Sequence, residues 1–494
     1  MTAISSYARA RAVVAGRAFS IATRRHVHLS DTPLVFVPLA MAGEASAPLA
    51  AMIGTQPDKP TLLLVPQPRN RDLRFGFAAS LADIVLDYVH SCSQRVEISA
   101  NEQVFLDAPQ LLVPNAAGVG FVKLLGRSTR YRRTTGPYPV PPQVPLLGRW
   151  LTHLSERSEF AGSSALLAMT SALGMHWATG QSALEDANLA ALLGWIDPPD
   201  GVTGPDAALA AEDPLIWPPA GPSTDPAFDN EILAPAIRAW TDAATDSPKR
   251  HRALNTLERA LRGQLEPTWQ LMWRAIDVLR RLPAADSVDT RWTTDRRDFS
   301  RYHQYVTDGG LPQARRDGAV AAARKLRNLE REQDLYDATR ALEDPLVMAN
   351  YRITGAAFQG TVVQVDRDRR VPGGKGRAVT RPLIVVSTTD PAHLAISTKV
   401  QAPTRSGQTG TIVQIDRQPD TTLVTLELSG GMTAAKVPPP GTVPEMDEHI
   451  TYTSAYPESF RKVELPPPDQ TPWTHGGPPK PYTPTNDDAQ EVWE

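Results

Sequence analysis

The sequence predicts an α+β multidomain protein with an N-terminal α/β unit, a helical middle carrying a long projecting helix, and C-terminal tandem small β-barrels. Three observations predict it. Short apolar runs of strand length open the chain and pass into a helix-spaced pattern. Apolar residues three and four apart dominate the middle. Residues 360–367 (Gly-Thr-Val-Val-Gln-Val-Asp-Arg) return at 410–417 (Gly-Thr-Ile-Val-Gln-Ile-Asp-Arg) with only Val/Ile exchanges, so the last third is a duplicated β module.

The 494 residues exceed what one hydrophobic core usually supports, which favours several domains. A hydrophobic content of 41% and a charged content of 21% describe a soluble globular protein, and 46 prolines point to long irregular connections. The net charge of −3 excludes a globally basic polymer binder but not local basic patches. The single cysteine, Cys92, excludes a disulfide framework or a multi-cysteine zinc site. It fits a reducing compartment, so a cytoplasmic location is expected. No apolar run approaches the ~20 residues of a membrane span, and no membrane partner is expected.

Residues 1–30 contain no acid and carry Arg9, Arg11, Arg17, Arg24 and Arg25, which reads as a basic arm forming a helix with an exposed face. In the α/β domain, 31–145, Pro33–Met41 and Thr61–Val65 are strand-length runs. Leu81, Ile84, Val85, Tyr88 and Val89 then follow helical spacing, and Gln110–Val113 is a further strand. Five prolines in Pro137–Pro145 make a connector that no central strand or helix tolerates.

The mostly helical domain, 146–350, opens with Leu147, Trp150, Leu151 and Leu154, continues through Leu166–Leu173 and reaches Leu193. Nine prolines and eight acids between 197 and 235 mark an acidic loop. Leu254, Leu257, Leu261 and Leu265 predict a helix, and Pro267 begins a second one carrying Trp269, Met272, Trp273, Ile276 and Leu279. The two tryptophans share a face with aliphatics and read as a core seam. Residues 312–343 form a long helix of thin apolar content, of the kind that projects or bridges, and Asp344-Pro345 stops it.

In the barrel region, 351–456, each copy reads as strand, turn, strand: Val362–Val365 with Leu383–Val386, and Ile412–Ile415 with Leu423–Leu428. Lys399-Val400 and Lys436-Val437 are taken as matching third strands, which predicts two small barrels. The tail, 457–494, is Pro-rich and acidic and carries Trp473, Tyr482 and Trp493. It reads as a docking strap seeking a basic receptor, with the helix 312–343 or the first barrel hairpin as candidates.

The stretch from Arg405 through Gly407, Gly410, Ile412 and Ile415 to Leu423-Val-Thr-Leu resembles the KOW motif of SH3-like barrels in ribosomal proteins and transcription elongation factors. A long helix leading into a small barrel also resembles the stalk-and-barrel insertion of superfamily 1 helicases. The chain lacks a GxxxxGK[ST] phosphate loop, so the resemblance implies a partner of such an enzyme or a relative of that insertion.

The first hairpin is ten residues longer than the second, since Asp366 to Leu383 spans seventeen positions and Asp416 to Leu423 spans seven. It holds Arg367, Arg369, Arg370, Lys375, Arg377 and Arg381 against Asp368, with glycines at 373, 374 and 376. Such a hairpin suits phosphate-backbone contact; the competing reading is a solvated loop. Arg127, Arg130, Arg132 and Arg133 interleave with Tyr131 and Tyr138, and Arg69 and Arg71 follow a buried-looking strand, where α/β proteins place functional loops. Arginine with tyrosine suits backbone pairing plus stacking, or a protein interface. A similar cluster runs from Arg291 to Tyr305.

No HExxH, GxSxG or strand-borne GxGxxG is present. His26 and His28 lack neighbouring ligands, and no cofactor or metal is expected. Glu44, Asp58, Lys59 and Asp72 distantly resemble a restriction-type nuclease set but lack its acidic-x-Lys triplet. The expected function is therefore a non-enzymatic nucleic-acid-binding protein or accessory subunit of a nucleic-acid enzyme such as a helicase. A structural or assembly subunit of a phage particle or antiviral defence complex is the alternative, and a degenerate metal-dependent nuclease is third. The expected partners are a DNA or RNA backbone and a protein, with self-association left open.

Overall fold

The structure is a computed structural model. It describes residues 3–41, 47–99, 102–214, 217–219, 221–372, 378–405, 407–430, 438, 441–455, 483 and 485. The chain divides into two compact units, a barrel unit of Met1–Ala8, Ile21–Arg24 and Arg331–Lys462, and a sheet unit of Arg9–Ser20, Arg25–Glu330 and Val463–Glu494. The basic arm forms helix α1 (Ala3–Ala15), in which Ala8 and Ala12, one turn apart, are buried.

The sheet unit is built on five strands: β1 (Leu34–Ala40), β2 (Pro48–Gly54), β3 (Thr61–Leu64), β4 (Leu111–Val113) and β5 (Leu166–Ala168). Their order is β3-β2-β1-β4-β5. The first three form an antiparallel meander, and β4 and β5 run parallel to β1. All seven residues of β1 are buried because successive side chains enter different cores. Leu34 and Phe36 pack with Phe75, Leu81 and Val85 of α2 (Arg71–Cys92) and with residues of α3 (Ala116–Thr129) and α4 (Gln143–Arg157). Val35, Val37 and Leu39 belong to the core of α5 (Pro248–Arg280), with Leu257, Leu261 and Met272.

Several elements depart from the sequence expectation. Strand β2 lies where no strand is expected, in the Ala-rich stretch after β1, and β5 lies in a stretch expected to be helical. α5 is one helix through Pro267 rather than two. Proline removes a single ladder hydrogen bond, and the buried face continues from Leu261 and Leu265 to Trp269 and Met272 across it. Trp269 is 2% exposed and donates its indole N–H to Pro57 O at 2.9 Å, as a core seam should. The acidic loop holds a helix, Gly204–Glu212, and a single π-helical turn, Asp229–Leu233. After α6 (Ser287–Thr307), α7 (Ala319–Glu343) starts later than residue 312. Residues 311–314 are irregular, which leaves the carbonyls of Gln313 and Ala314 to take hydrogen bonds from Arg130 instead. Among the described residues no helix is long and apolar enough to cross a membrane.

In the barrel unit six strands close an antiparallel barrel. They are β6 (Ala357–Asp366), β7 (Leu383–Thr388), β8 (Lys399–Gln401), β9 (Thr409–Arg417), β10 (Thr422–Ser429) and β11 (His449–Thr453). The closed order is β6-β7-β10-β9-β8-β11. The expectation of two barrels thus gives way, among the described residues, to one barrel made by both copies. Three strands cannot close on themselves, and each copy would leave open edges.

The register shows how the copies share the barrel. Gly360 pairs with Thr388, and the equivalent Gly410 with Leu428, so Val385 and Thr425 are equivalent; these two pair with each other in the β7–β10 ladder. A pseudo-twofold axis therefore passes between them. Lys399 pairs with Thr411, and His449 with the equivalent Thr361, so β8 and β11 are counterparts, each bound to the first strand of the other copy. His449-Ile450, not Lys436-Val437, matches Lys399-Val400; positions 436 and 437 lie outside the described residues. Both copies bulge at the same place, after Val362 and after Ile412, which leaves Val363 and Val413 exposed. Asp344, 1% exposed, accepts the Thr23 and Arg24 amides at 2.7 and 3.0 Å and caps the helix Pro345–Ile353.

Candidate nucleic-acid interface

Two arginine clusters distant in sequence meet in the sheet unit. Asn70 caps α2, accepting the amides of Asp72 and Leu73 at 3.0 and 3.1 Å, and this fixes the first turn that carries Arg71. The Arg71 guanidinium lies 4.6 Å from the centroid of the Phe75 ring and donates to Tyr138 O at 2.9 Å. Arg132 approaches the same ring at 5.5 Å. Phe75, 2% exposed, thus ties the segment after β3 to the segment after α3. Exposed Arg69 and Arg133 lie beside these two anchored arginines in sequence.

Close helix packing sets the position of residues 130–133. A Cβ on Gly126 would come 2.9 Å from Thr152 N, and one on Gly148 would come 2.3 Å from Arg130 N, so α3 and α4 approach at two side-chain-free points. Arg130 is 3% exposed, donates from Nε to Gln313 O at 2.9 Å, and has a buried Nη1 without a hydrogen-bond partner. Tyr131, 8% exposed, donates to Gln313 O and is consumed in packing. Tyr138 is 74% exposed, with the Arg71 guanidinium 5.8 Å from its ring centroid. Arg149, which sequence reasoning passed over, follows Gly148 on α4 and donates to Gly310 O at 2.8 Å. Its signal was its place off the apolar face of Leu147, Trp150, Leu151 and Leu154.

These residues open onto a cleft of about 650 Å³ lined by Arg130, Arg132, Arg133 and Arg149, and among the described residues of its wall there is no Asp or Glu. Thr485 also lines it. Four arginines in one wall give a positive potential of the kind a polyanion neutralises. A smaller cavity of about 190 Å³ also borders Arg130, and there Glu156, Glu159 and Asp317 offset part of the charge of the surrounding bases. Glu159 bridges Lys123 and Lys325 at 2.9 and 2.7 Å. Burial alone would raise its carboxyl, but the hydrogen bonds from Lys325 and Lys123 hold it below the usual range. Glu156 nearby is pushed up by burial.

No family model matches the chain. Neither does any curated protein or solved structure. The functional reading therefore comes from the residues themselves.

The barrel hairpin is less basic than its local sequence. Arg370–Pro372 pairs with Ala378–Thr380 as a two-stranded ribbon. Arg367 reaches Glu445 at 2.5 Å and Arg369 reaches Glu427 of β10 at 2.6 Å, so acids from elsewhere in the barrel unit neutralise two of its bases. Arg381 donates to Thr380 O at 2.9 Å, and Arg370 is exposed. Lys375 and Arg377 lie outside the described residues, as does Glu44. The Arg291–Tyr305 cluster on α6 is used internally: Arg291 donates to His26 O, Arg296 pairs with Glu97 and Arg301 with Glu102. His28 stacks on Trp292, and His26 donates its amide to His176 Nε2 at 3.1 Å. No group of three His, Cys, Asp or Glu among the described residues is placed to hold a metal ion.

Proposed function

We propose that the protein binds the phosphate backbone of a nucleic acid through the arginine cleft of the sheet unit, and serves as a non-enzymatic accessory subunit of a nucleic-acid enzyme such as a helicase. The observation that carries this reading is the convergence of Arg130, Arg132, Arg133 and Arg149 on one cleft. Exposed Arg69 extends the basic surface past Phe75, beside Arg71, which pairs with Asp72 at 2.8 Å, and exposed Tyr138 supplies a stacking face for an unpaired base. Contacts of this kind fix a backbone without reading its sequence.

The barrel hairpin is a second, weaker contact, because Arg367 and Arg369 already hold carboxylates. The likeness to the KOW motif runs from Arg405 through β9 into β10, and supports a nucleic-acid-associated role for the barrel by resemblance alone. Photocrosslinking of a 4-thiouridine-substituted oligonucleotide to the purified protein, with mapping of the modified peptides, tests the reading. Adducts in residues 130–149, centred on Tyr138, are expected. Binding of oligonucleotide with adducts elsewhere, or equal capture of an acidic polypeptide and no oligonucleotide, would refute it.

A further inference from the structure

We infer that residues 310–314, in the linker between α6 and α7, are a gate on the arginine cleft, latched by Arg149 and opened when that guanidinium exchanges a backbone carbonyl for a phosphate. The inference rests on the proposed reading of the cleft and names its regulation. The linker here has no helix or strand of its own, and four of its carbonyls accept from side chains. Arg149 Nη2 donates to Gly310 O at 2.8 Å, and Tyr305 Oη donates to Leu311 O at 2.9 Å. Tyr131 and Arg130 donate to Gln313 O, and Arg130 Nη2 to Ala314 O at 3.4 Å. The Gln313 side chain adds a pin, donating to Arg149 O at 2.9 Å and to Tyr302 Oη at 2.7 Å. Pro312 lines the cleft beside Arg149, so this linker is part of the wall that a strand would meet.

The two ends of the gate are held unequally. Arg130 is 3% exposed and stays with Gln313 and Ala314. Arg149 is half-buried, and among the described residues its side chain donates to Gly310 O alone. Gly310 offers it one neutral carbonyl, whereas a phosphate offers charged oxygens in the forked geometry of a guanidinium. A bound strand therefore favours the open linker. Gly309, at φ +77°, supplies the left-handed turn at which the linker leaves α6. Coupling of this kind is reciprocal: whatever weakens the closed gate tightens strand binding by the same factor.

Two measurements on the full-length chain test this. In the first, Gly310→Ala and Tyr305→Phe are compared with wild type for oligothymidylate affinity. A Cβ on Gly310 would lie 2.4 Å from the Tyr305 ring, so the ring or the linker must move and the Tyr305–Leu311 bond is lost. Tyr305→Phe removes the same bond without a clash. Each variant should bind about fivefold more tightly, the equivalent of one hydrogen bond passed through the coupling. Affinity equal to or below wild type in either variant overturns the gate. In the second, hydrogen exchange of amides 308–314 is followed as oligothymidylate is added to wild type. Exchange should rise, because the Gly309 and Gly310 amides, bonded to Val306 O and Tyr305 O at 3.1 and 2.9 Å, are freed as the linker opens. Protection or unchanged exchange in the saturated chain overturns the gate and leaves the cleft reading standing. No oligothymidylate binding by wild type or either variant removes the cleft reading, and the gate with it.

Discussion

Gly360 and Gly410 occupy equivalent positions in the duplicated barrel, yet replacing each with alanine should have opposite consequences. A Cβ on Gly360 would fall 2.1 Å from Ser387 O, 2.8 Å from the Ser387 carbonyl carbon and 2.9 Å from Val386 Cγ1. Ser387 is a ladder neighbour, paired with Thr361, so the obstructing atoms are backbone and cannot rotate away. To restore ordinary contact, ~3.5 Å between carbons, β6 must leave β7 by about 1 Å while β11 holds its other edge. Overpacking costs about 1–3 kcal/mol and occasionally more, and a clash with backbone belongs at the upper end. At Gly410 the nearest atoms are Leu428 Cδ2 and Val400 Cγ2, both at 3.5 Å, which is normal packing. There alanine recovers the ~0.5–1 kcal/mol that glycine forfeits in a strand. The two variants should therefore differ by about 3–4 kcal/mol. Native-state hydrogen exchange of the β6, β7 and β10 amides reads this difference within the barrel unit, whatever the sheet unit does. Protection should fall in Gly360→Ala and hold or rise in Gly410→Ala. Changes equal to within about 0.5 kcal/mol, the usual scatter of surface substitutions, would refute the steric reasoning.

Stability should depend on pH through two half-buried imidazoles. His28 stacks on Trp292, and burial, then Arg25, pushes its pKa down to about 4; His153 stacks on Tyr302 at 4.0 Å, and burial, then Arg157, pushes it down to about 3. Because both lie below the ~6.5 of an unfolded histidine, their contribution is complete above pH 6.5 and is lost as pH falls towards 4. Denaturant midpoints measured from pH 7.5 to 4 should decline in that window, and an unchanged decline in His28→Asn/His153→Phe would rule out these two rings as its source. Asp344→Ala strands the Thr23 and Arg24 amides and uncaps the helix Pro345–Ile353. At ~1–3 kcal/mol per stranded group, a loss of about 3 kcal/mol is expected in urea denaturation; a loss below 0.5 kcal/mol would show that segment 21–24 contributes nothing to the barrel unit.

The parts of the fold that sequence made legible were those where side-chain pattern alone decides the backbone. β1, β3, β4 and the barrel strands β6, β7, β9 and β10 declare themselves through apolar runs, and Trp269 through its place on an aliphatic stripe; β11 did not, and 436–437 was read in its place. β2 did not, because the pressure to be a strand there comes from pairing with β1 and β3 rather than from its alanines. Pro267 misled because tertiary burial outweighed one lost hydrogen bond. The duplication was visible, but its consequence was not: whether two copies make two barrels or one is decided by which edges pair, and β8 and β11 cross between copies. The arginines of the cleft were named from sequence except Arg149. Their convergence was hidden because it depends on Gly126 and Gly148 drawing α3 against α4. The hairpin misled in the other direction, since Glu427 and Glu445 are remote in sequence from the arginines they neutralise.

The central claim is that the cleft arginines contact phosphates, and the salt dependence of binding counts such contacts directly. Log affinity for a single strand falls with log salt at a slope of about −0.7 per phosphate neutralised. Arg130 is 3% exposed, whereas Arg132 and Arg149 are half-buried and Arg133 is exposed, so these three are the contacts to count. Fluorescence anisotropy of a labelled 20-nucleotide strand, titrated with salt, should give a slope shallower by about 2 for Arg132→Gln/Arg133→Gln/Arg149→Gln than for wild type. A triple variant with the wild-type slope and affinity would contradict the account.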